Sequence, residues 1–156
     1  WRELQGLPDD AFLAVERRTH NRRGGHKAFA VPDLAVRRNG RVELYDWKTG
    51  ETNPEEHRTQ LGIYALLAAD RWTAAPEEIS ATVFNPVLDR RATFLFTHDD
   101  LDTLREFIHD SADEMLFPLE DPEANAAGDG SAFDCASSEE PCKACPFLRA
   151  CPRWNA

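Results

Sequence analysis

Three residues in the stretch PDLAVRRNGRVELYDWK, positions 32–48, are of types that do chemistry together: Asp33, Asp46 and Lys48. Carboxylate oxygens hold hard divalent cations, and an amine beside them is a compact, deprotonatable point charge. Spacing matters as much as type. Asn39-Gly40 lies between two apolar runs, and this dipeptide signals a two-residue hairpin, because a type I′ turn puts both central residues at positive φ. Such a turn pairs Arg38 with Arg41 and Arg37 with Val42, and carried on it sets Asp33 opposite Asp46. Opposed residues share a face, with Cβ atoms about 4.5–5.5 Å apart. The period of two brings Lys48 to that face and turns Trp47 to the other. Two like charges so close need a positive charge between them. Pro32 marks a point where a bulge would slip the register by one.

On these residues alone, a surface ion pair at a strand end, with Asp33 in a turn, is an equal alternative. One detail of composition favours chemistry. Only 3 of the 18 cationic side chains are Lys, so a chain that otherwise uses Arg has a compact, deprotonatable amine at position 48.

The elements that must position these groups follow from periodicity. A strand is expected at 11–16, a basic loop after it, and strands at 28–36 and 41–48. A helix opens with Asn53 as cap, Pro54 at its first position and Glu56 three after the cap. It runs to about Asp70 and buries Leu61, Tyr64, Leu67 and Ala68. Strands at 79–85 and 91–97 come next, then a second helix from Thr97, with Asp100 in the capping-box position and Leu101, Leu104, Ile108 and Met115 at helical spacing. Residues 118–134 read as a linker, after a core domain over 1–117, and 135–156 hold every cysteine.

The 156 residues are enough for one domain with a real core and a small appendage. No apolar run of about 18 residues is present, which excludes a membrane-spanning helix, and no charged-then-apolar leader is seen. The expected location is the cytoplasm, and the opening at Trp1 suggests a core that lacks an N-terminal part. A net charge of −10 argues at first against nucleic acid, but residues 1–50 hold 10 Lys and Arg against 7 Asp and Glu, while residues 98–156 hold 4 against 14. A local basic face can hold a phosphate backbone on an acidic molecule. Arg22, Arg23 and Lys27 are the candidates for it, a solvated Arg-rich loop being an equal alternative on charge alone, and the neighbouring His20 and His26 would meet phosphate or solvent rather than metal.

Pro32-Asp33, then Asp46-Trp47-Lys48 and Thr49-Gly50, resemble the PD-(D/E)XK nuclease superfamily, most closely its RecB-like branch. Gln60 and Tyr64 resemble that branch's Gln-x-x-x-Tyr motif, and four residues apart they share one helix face. The resemblance implies an α/β (α+β), restriction-endonuclease-like core with a mixed central sheet flanked by helices. It also implies a Mg²⁺- or Mn²⁺-dependent DNA exonuclease. Asp33, Asp46 and the carbonyl of Trp47 would bind the metal, with Glu16 a candidate for the upstream acid that often completes such sites. Lys48 would activate water, and Gln60 and Tyr64 would position the water, the lysine or the DNA. Partners implied are single-stranded DNA or duplex ends, with a helicase or another repair or CRISPR-associated protein.

Cys135, Cys142, Cys145 and Cys151 crowd four soft ligands into 17 residues, which in this compartment argues for a metal site over disulfides. Spacing does not separate Zn²⁺ from an iron–sulfur cluster. The tail resembles the [4Fe-4S] staple of AddB-like and CRISPR-associated exonucleases, which draw one cysteine from far upstream. Either Cys135 replaces that ligand here or it stands outside the site. Against the enzyme stand two other classes: a catalytically inactive nuclease fold that clamps DNA or docks on a helicase, and a zinc-bound interaction domain.

Overall fold

The computed structural model describes residues 4–23, 26–50, 53–129, 136–146 and 148–151, and of residues 19–23, 26–28 and 150 the backbone alone. Asn39-Gly40 forms the expected turn, with φ of 52° and 80°. It joins β4 (Leu34–Arg38) to β5 (Arg41–Trp47) in the expected register, Arg38 opposite Arg41 and Leu34 opposite Tyr45. Along β5 burial alternates: Val42, Leu44 and Asp46 face the core, while Glu43, Tyr45 and Trp47 take the other side. Asp46 thus occupies the third place in a row whose first two members are apolar.

The sheet has five strands in the order β1 (Phe12–Val15), β4, β5, β6 (Ile79–Asn85), β7 (Arg90–Phe94). All pairs are antiparallel except β5 with β6. That parallel pair needs a crossover, and α1 (Arg58–Trp72) supplies it. Helix α1 buries Leu61, Tyr64, Ala65, Leu66, Leu67 and Ala68 in one cluster with Val42 and Leu44 of β5 and Ile79, Ala81 and Val83 of β6. Its last turn is held by Arg37, whose guanidinium donates to the Trp72 carbonyl at 2.7 Å. Gly62 admits the second helix, α2 (His98–Leu116): a Cβ there would lie 2.4 Å from Leu104 Cδ1. The capping box of α2 is present, with Thr97 N–H donating to Asp100 Oδ2 at 2.8 Å and Asp100 N–H to Thr97 Oγ1 at 3.1 Å. The Thr97 N–H and the Thr97 hydroxyl, which both donate to Asp100 Oδ2 at 2.8 Å, hold the Asp100 carboxyl below its ordinary pKa.

Several expectations are corrected. The strand expected at 28–36 is two strands, β3 (His26–Ala30) and β4, because Pro32 cannot donate to a ladder and breaks the run just before Asp33. The basic loop is a hairpin: β2 (Thr19–Arg23) pairs with β3, Arg23 opposite His26. The first helix begins as a 3-10 turn, Pro54–His57, in which Asn53 Oδ1 accepts from the Glu55 N–H at 3.2 Å. Met115, expected on the buried face of α2, is 67% exposed. The expected linker contains a short hairpin, β8 (Leu119–Asp121) with β9 (Ala126–Ala127). Its turn is held by Asp121 Oδ1, which accepts from the N–H groups of Glu123 and Ala124 at 3.0 Å each.

The chain divides into two compact units, Trp1–Ser111, which contains the five-stranded sheet, and Ala112–Ala156, which contains β8, β9 and the cysteine segment. Among the described residues, no helix is long and apolar enough to cross a membrane.

The hairpin turn can be tested by Gly40→Ala. An added Cβ would meet nothing within 4 Å, so the expected loss of about 1–2 kcal/mol is purely the backbone cost of positive φ. A urea titration should show a lower midpoint at unchanged slope.

Candidate active site

Asp46 is 3% exposed, and burying a carboxylate is costly unless its oxygens find partners. Helix α1, which covers the core face of β5, brings them. Tyr64 Oη donates to Asp46 Oδ1 at 3.3 Å and Gln60 Nε2 does so at 3.4 Å, both long contacts. Gln60 Nε2 also donates to Tyr64 Oη at 2.8 Å, so the two helix residues steady one another. The other oxygen, Oδ2, lies 2.8 Å from Lys48 Nζ, near enough for charge attraction, yet it is buried and receives no directed hydrogen bond.

Asp33 sits in the bend that Pro32 starts, one residue before β4. Its Oδ2 accepts the Trp47 N–H at 2.6 Å, which ties the bend to the end of β5. Its own carbonyl accepts the Glu16 N–H at 3.0 Å. Lys48 N–H donates to the Phe84 carbonyl at 3.0 Å, so the backbone that carries Lys48 is fixed by β6. Asp33, Asp46, Lys48, Gln60 and Tyr64 are therefore gathered at one end of the sheet by β5, α1 and the bend before β4.

Other candidates lie differently. Glu16 has a left-handed backbone, φ 44°, and an exposed side chain. Among the described residues no three His, Cys, Asp or Glu side chains gather into a metal site, so the acids at the centre are the pair Asp33 and Asp46. The donor set is two carboxylates, one with a buried oxygen that receives no directed hydrogen bond and is met only by the Lys48 charge, and this suits a hard divalent cation. Arg22, Arg23 and Lys27 lie on the β2–β3 hairpin, where only the backbone is described. Cys142, Cys145 and Cys151 are free thiols, half-buried; Cys135 lies outside the described residues. The basic run VRRNGR is partly committed elsewhere: Arg37 holds α1, and Arg38 makes two bonds of 2.9 Å to Glu43.

Sequence reasoning missed Asn85, the last core-facing residue of β6 after Ile79, Ala81 and Val83. Its amide donates to the Gly50 carbonyl at 2.8 Å, which fastens the segment just after Lys48. A polar residue closing an apolar alternation is the signal, the same one that Asp46 gives on β5.

A family model of the PD-(D/E)XK nuclease superfamily matches residues 12–152, and the chain belongs to that superfamily. No curated protein matches it significantly. Among solved structures the chain is similar to one titled "Crystal structure of SSO0001", at 18% identity and a TM-score of 0.47 over 89% of this chain and 59% of that one. The chain thus spans less than two thirds of that structure's length.

Burial and the nearby Asp46 charge push the Tyr64 phenol up to about 12, so it stays a neutral donor across the physiological range. Its folded value lies above its ordinary value of 10.0, so in metal-free protein the stability it contributes is complete below about pH 10 and is lost as pH rises towards 12. Tyr64 and Tyr45 are the two tyrosines of the chain. An absorbance titration in a chelator should show a late phenolate step near pH 12 that is absent from Tyr64→Phe.

Proposed function

We propose that this chain is a divalent-metal-dependent deoxyribonuclease of the RecB-like type, an exonuclease acting on single strands or duplex ends in DNA repair, recombination or CRISPR adaptation. The observation that carries the reading is the buried Asp46 carboxylate, whose Oδ2 is met by the Lys48 ammonium at 2.8 Å without a directed hydrogen bond. A buried carboxylate oxygen whose partner is a flexible, partly exposed ammonium can exchange that partner for a cation.

Asp33, Asp46 and the Trp47 carbonyl would hold Mg²⁺ or Mn²⁺. The bound ion would supply positive charge against the scissile phosphate and lower the pKa of water. Lys48, partly exposed and anchored by its backbone to β6, orients that water and balances the charge that builds on phosphate oxygens. Gln60 and Tyr64 keep Asp46 in place without adding charge, because both donors are neutral. Glu16, next to the Asp33 carbonyl, is proposed as an outer acid that meets the site when DNA and metal are bound. Arg22, Arg23 and Lys27 are proposed to follow the DNA backbone. The cysteine segment is proposed to take a structural [4Fe-4S] cluster on Cys142, Cys145 and Cys151 with Cys135 or an upstream residue, Zn²⁺ being the alternative.

The reading is tested with end-labelled single-stranded and duplex DNA and anaerobically purified protein. Cleavage should require Mg²⁺ or Mn²⁺, spare covalently closed circles, and fall by about 10²–10⁴ in Lys48→Ala and further in Asp46→Ala. A folded wild-type protein that leaves every substrate intact would refute the enzyme and favour an inactive clamp.

Metal binding has its own readout. Millimolar Mn²⁺ should raise the unfolding temperature of the wild type and leave Asp46→Asn unmoved, since a ligand that binds only the folded state stabilises it. For the tail, anaerobic protein should carry iron and acid-labile sulfide at about four each per chain. Zinc at about one per chain would identify the other metal.

A further inference from the structure

The two parallel strands end side by side, β5 at Trp47 and β6 at Asn85. Past Asn85 the chain turns and returns as β7 with Arg90 and Arg91 at its start. A cleft of about 510 Å³ opens there, with Lys48, Asn85, Leu88, Asp89, Arg90 and Arg91 among its lining residues. Its volume falls in the range of ligand-sized clefts.

The cleft is built rather than incidental. Asn85, 8% exposed, donates its amide to the Gly50 carbonyl and accepts at Oδ1 from the N–H groups of Val87 and Leu88, at 3.0 Å each. One buried amide thus ties the segment that follows Lys48 to the turn that delivers Arg90 and Arg91. The Arg91 guanidinium lies over the Phe84 ring, 5.4 Å from its centroid, which limits where that cation can go. Three cations, Lys48, Arg90 and Arg91, meet one anion, Asp89, in a molecule whose net charge is −10. No aromatic ring is among the lining residues, so a base would find no stacking platform. Phosphate and sugar would find cations and short apolar walls.

We propose that this cleft seats the phosphodiester backbone next to the scissile phosphate, with Arg90 and Arg91 as the residues that hold it. The proposal rests on the nuclease reading of Asp46 and Lys48, since the shared wall at Lys48 is what makes the seated phosphate a neighbour of the one cut. Because both arginines would meet backbone, the cleft adds affinity without base preference.

The test uses Arg90→Ala, Arg91→Ala and the double variant, with Arg71→Ala as the charge-matched control for each single variant, since Arg71 is exposed on the last turn of α1. Anisotropy of a labelled oligonucleotide in chelator measures binding without cleavage, and kinetics in Mg²⁺ or Mn²⁺ separate KM from kcat. The double variant should weaken binding about tenfold for each arginine removed, raise KM with kcat little changed, and flatten the slope of log K on log salt by about 1.4 on single strands. Arg90→Lys/Arg91→Lys should restore much of the salt slope.

If the wild type cuts and the double variant matches it in KM and slope, or if Arg71→Ala weakens binding as much as the single variants do, the cleft proposal fails while the nuclease reading stands. If the wild type binds but does not cut, and the double variant loses that binding, the cleft stands as a backbone site and the nuclease reading fails. A wild type that neither binds nor cuts overturns both.

Discussion

A carboxylate buried at the end of a core-facing strand is the constraint around which the rest of this structure is arranged. Asp46 is where Val42 and Leu44 predict another apolar residue, and it is 3% exposed. Taking an ion out of water costs several kcal/mol even after relaxation. Part of that is offset by Lys48 on one oxygen and by Tyr64 and Gln60 on the other, and the apolar cluster beneath must carry the remainder. The placement is poor for stability and useful for chemistry. A carboxylate in a water-poor setting attracts a cation more strongly than one on the surface, because Coulomb attraction grows as the local dielectric falls.

Each neighbour of Asp46 comes from a chain segment close by in sequence. The hairpin sets Asp33 against the end of β5, and the Trp47 N–H to Asp33 bond locks that corner. The crossover required by a parallel β5–β6 pair drops α1 directly over the same face and presents Gln60 and Tyr64. Strand β6 then holds the backbone of Lys48 and, through Asn85, the segment after it. The site thus sits at the carboxyl ends of two parallel strands, where α/β sheets generally bind their ligands. Its parts are close in sequence because the topology demands a hairpin, a strand and a crossover helix in succession.

That compactness explains what was legible in the sequence. Asn39-Gly40 fixes a register through backbone dihedrals alone, and Gln60 and Tyr64 share a helix face by periodicity, so neither depends on distant packing. The break at Pro32 was legible only as a warning: a missing N–H says that pairing stops, not which side of it Asp33 will occupy. The β2–β3 hairpin was hidden because β2, Thr19–Arg23, is polar and carries no alternation, although Gly24-Gly25 between Arg23 and His26 was a turn signal in plain view. Met115 keeps the helical spacing of Leu101 yet is exposed, because spacing names a face of the helix and not whether anything covers it at that turn. Asn85 ends the strand expected at 79–85, and its hold on the segment after Lys48 needs the three-dimensional neighbour Gly50, 35 residues away in sequence.

Membership of the PD-(D/E)XK nuclease superfamily and the geometry of Asp33, Asp46 and Lys48 converge on a single centre. The most direct test is a crystal of the wild-type protein grown with Mn²⁺ and measured for anomalous scattering. The account predicts one strong peak between Asp33 and Asp46, against the carbonyl of Trp47, with Lys48 displaced from Asp46 Oδ2. A well-ordered site with Lys48 still on that oxygen and no peak there would contradict it.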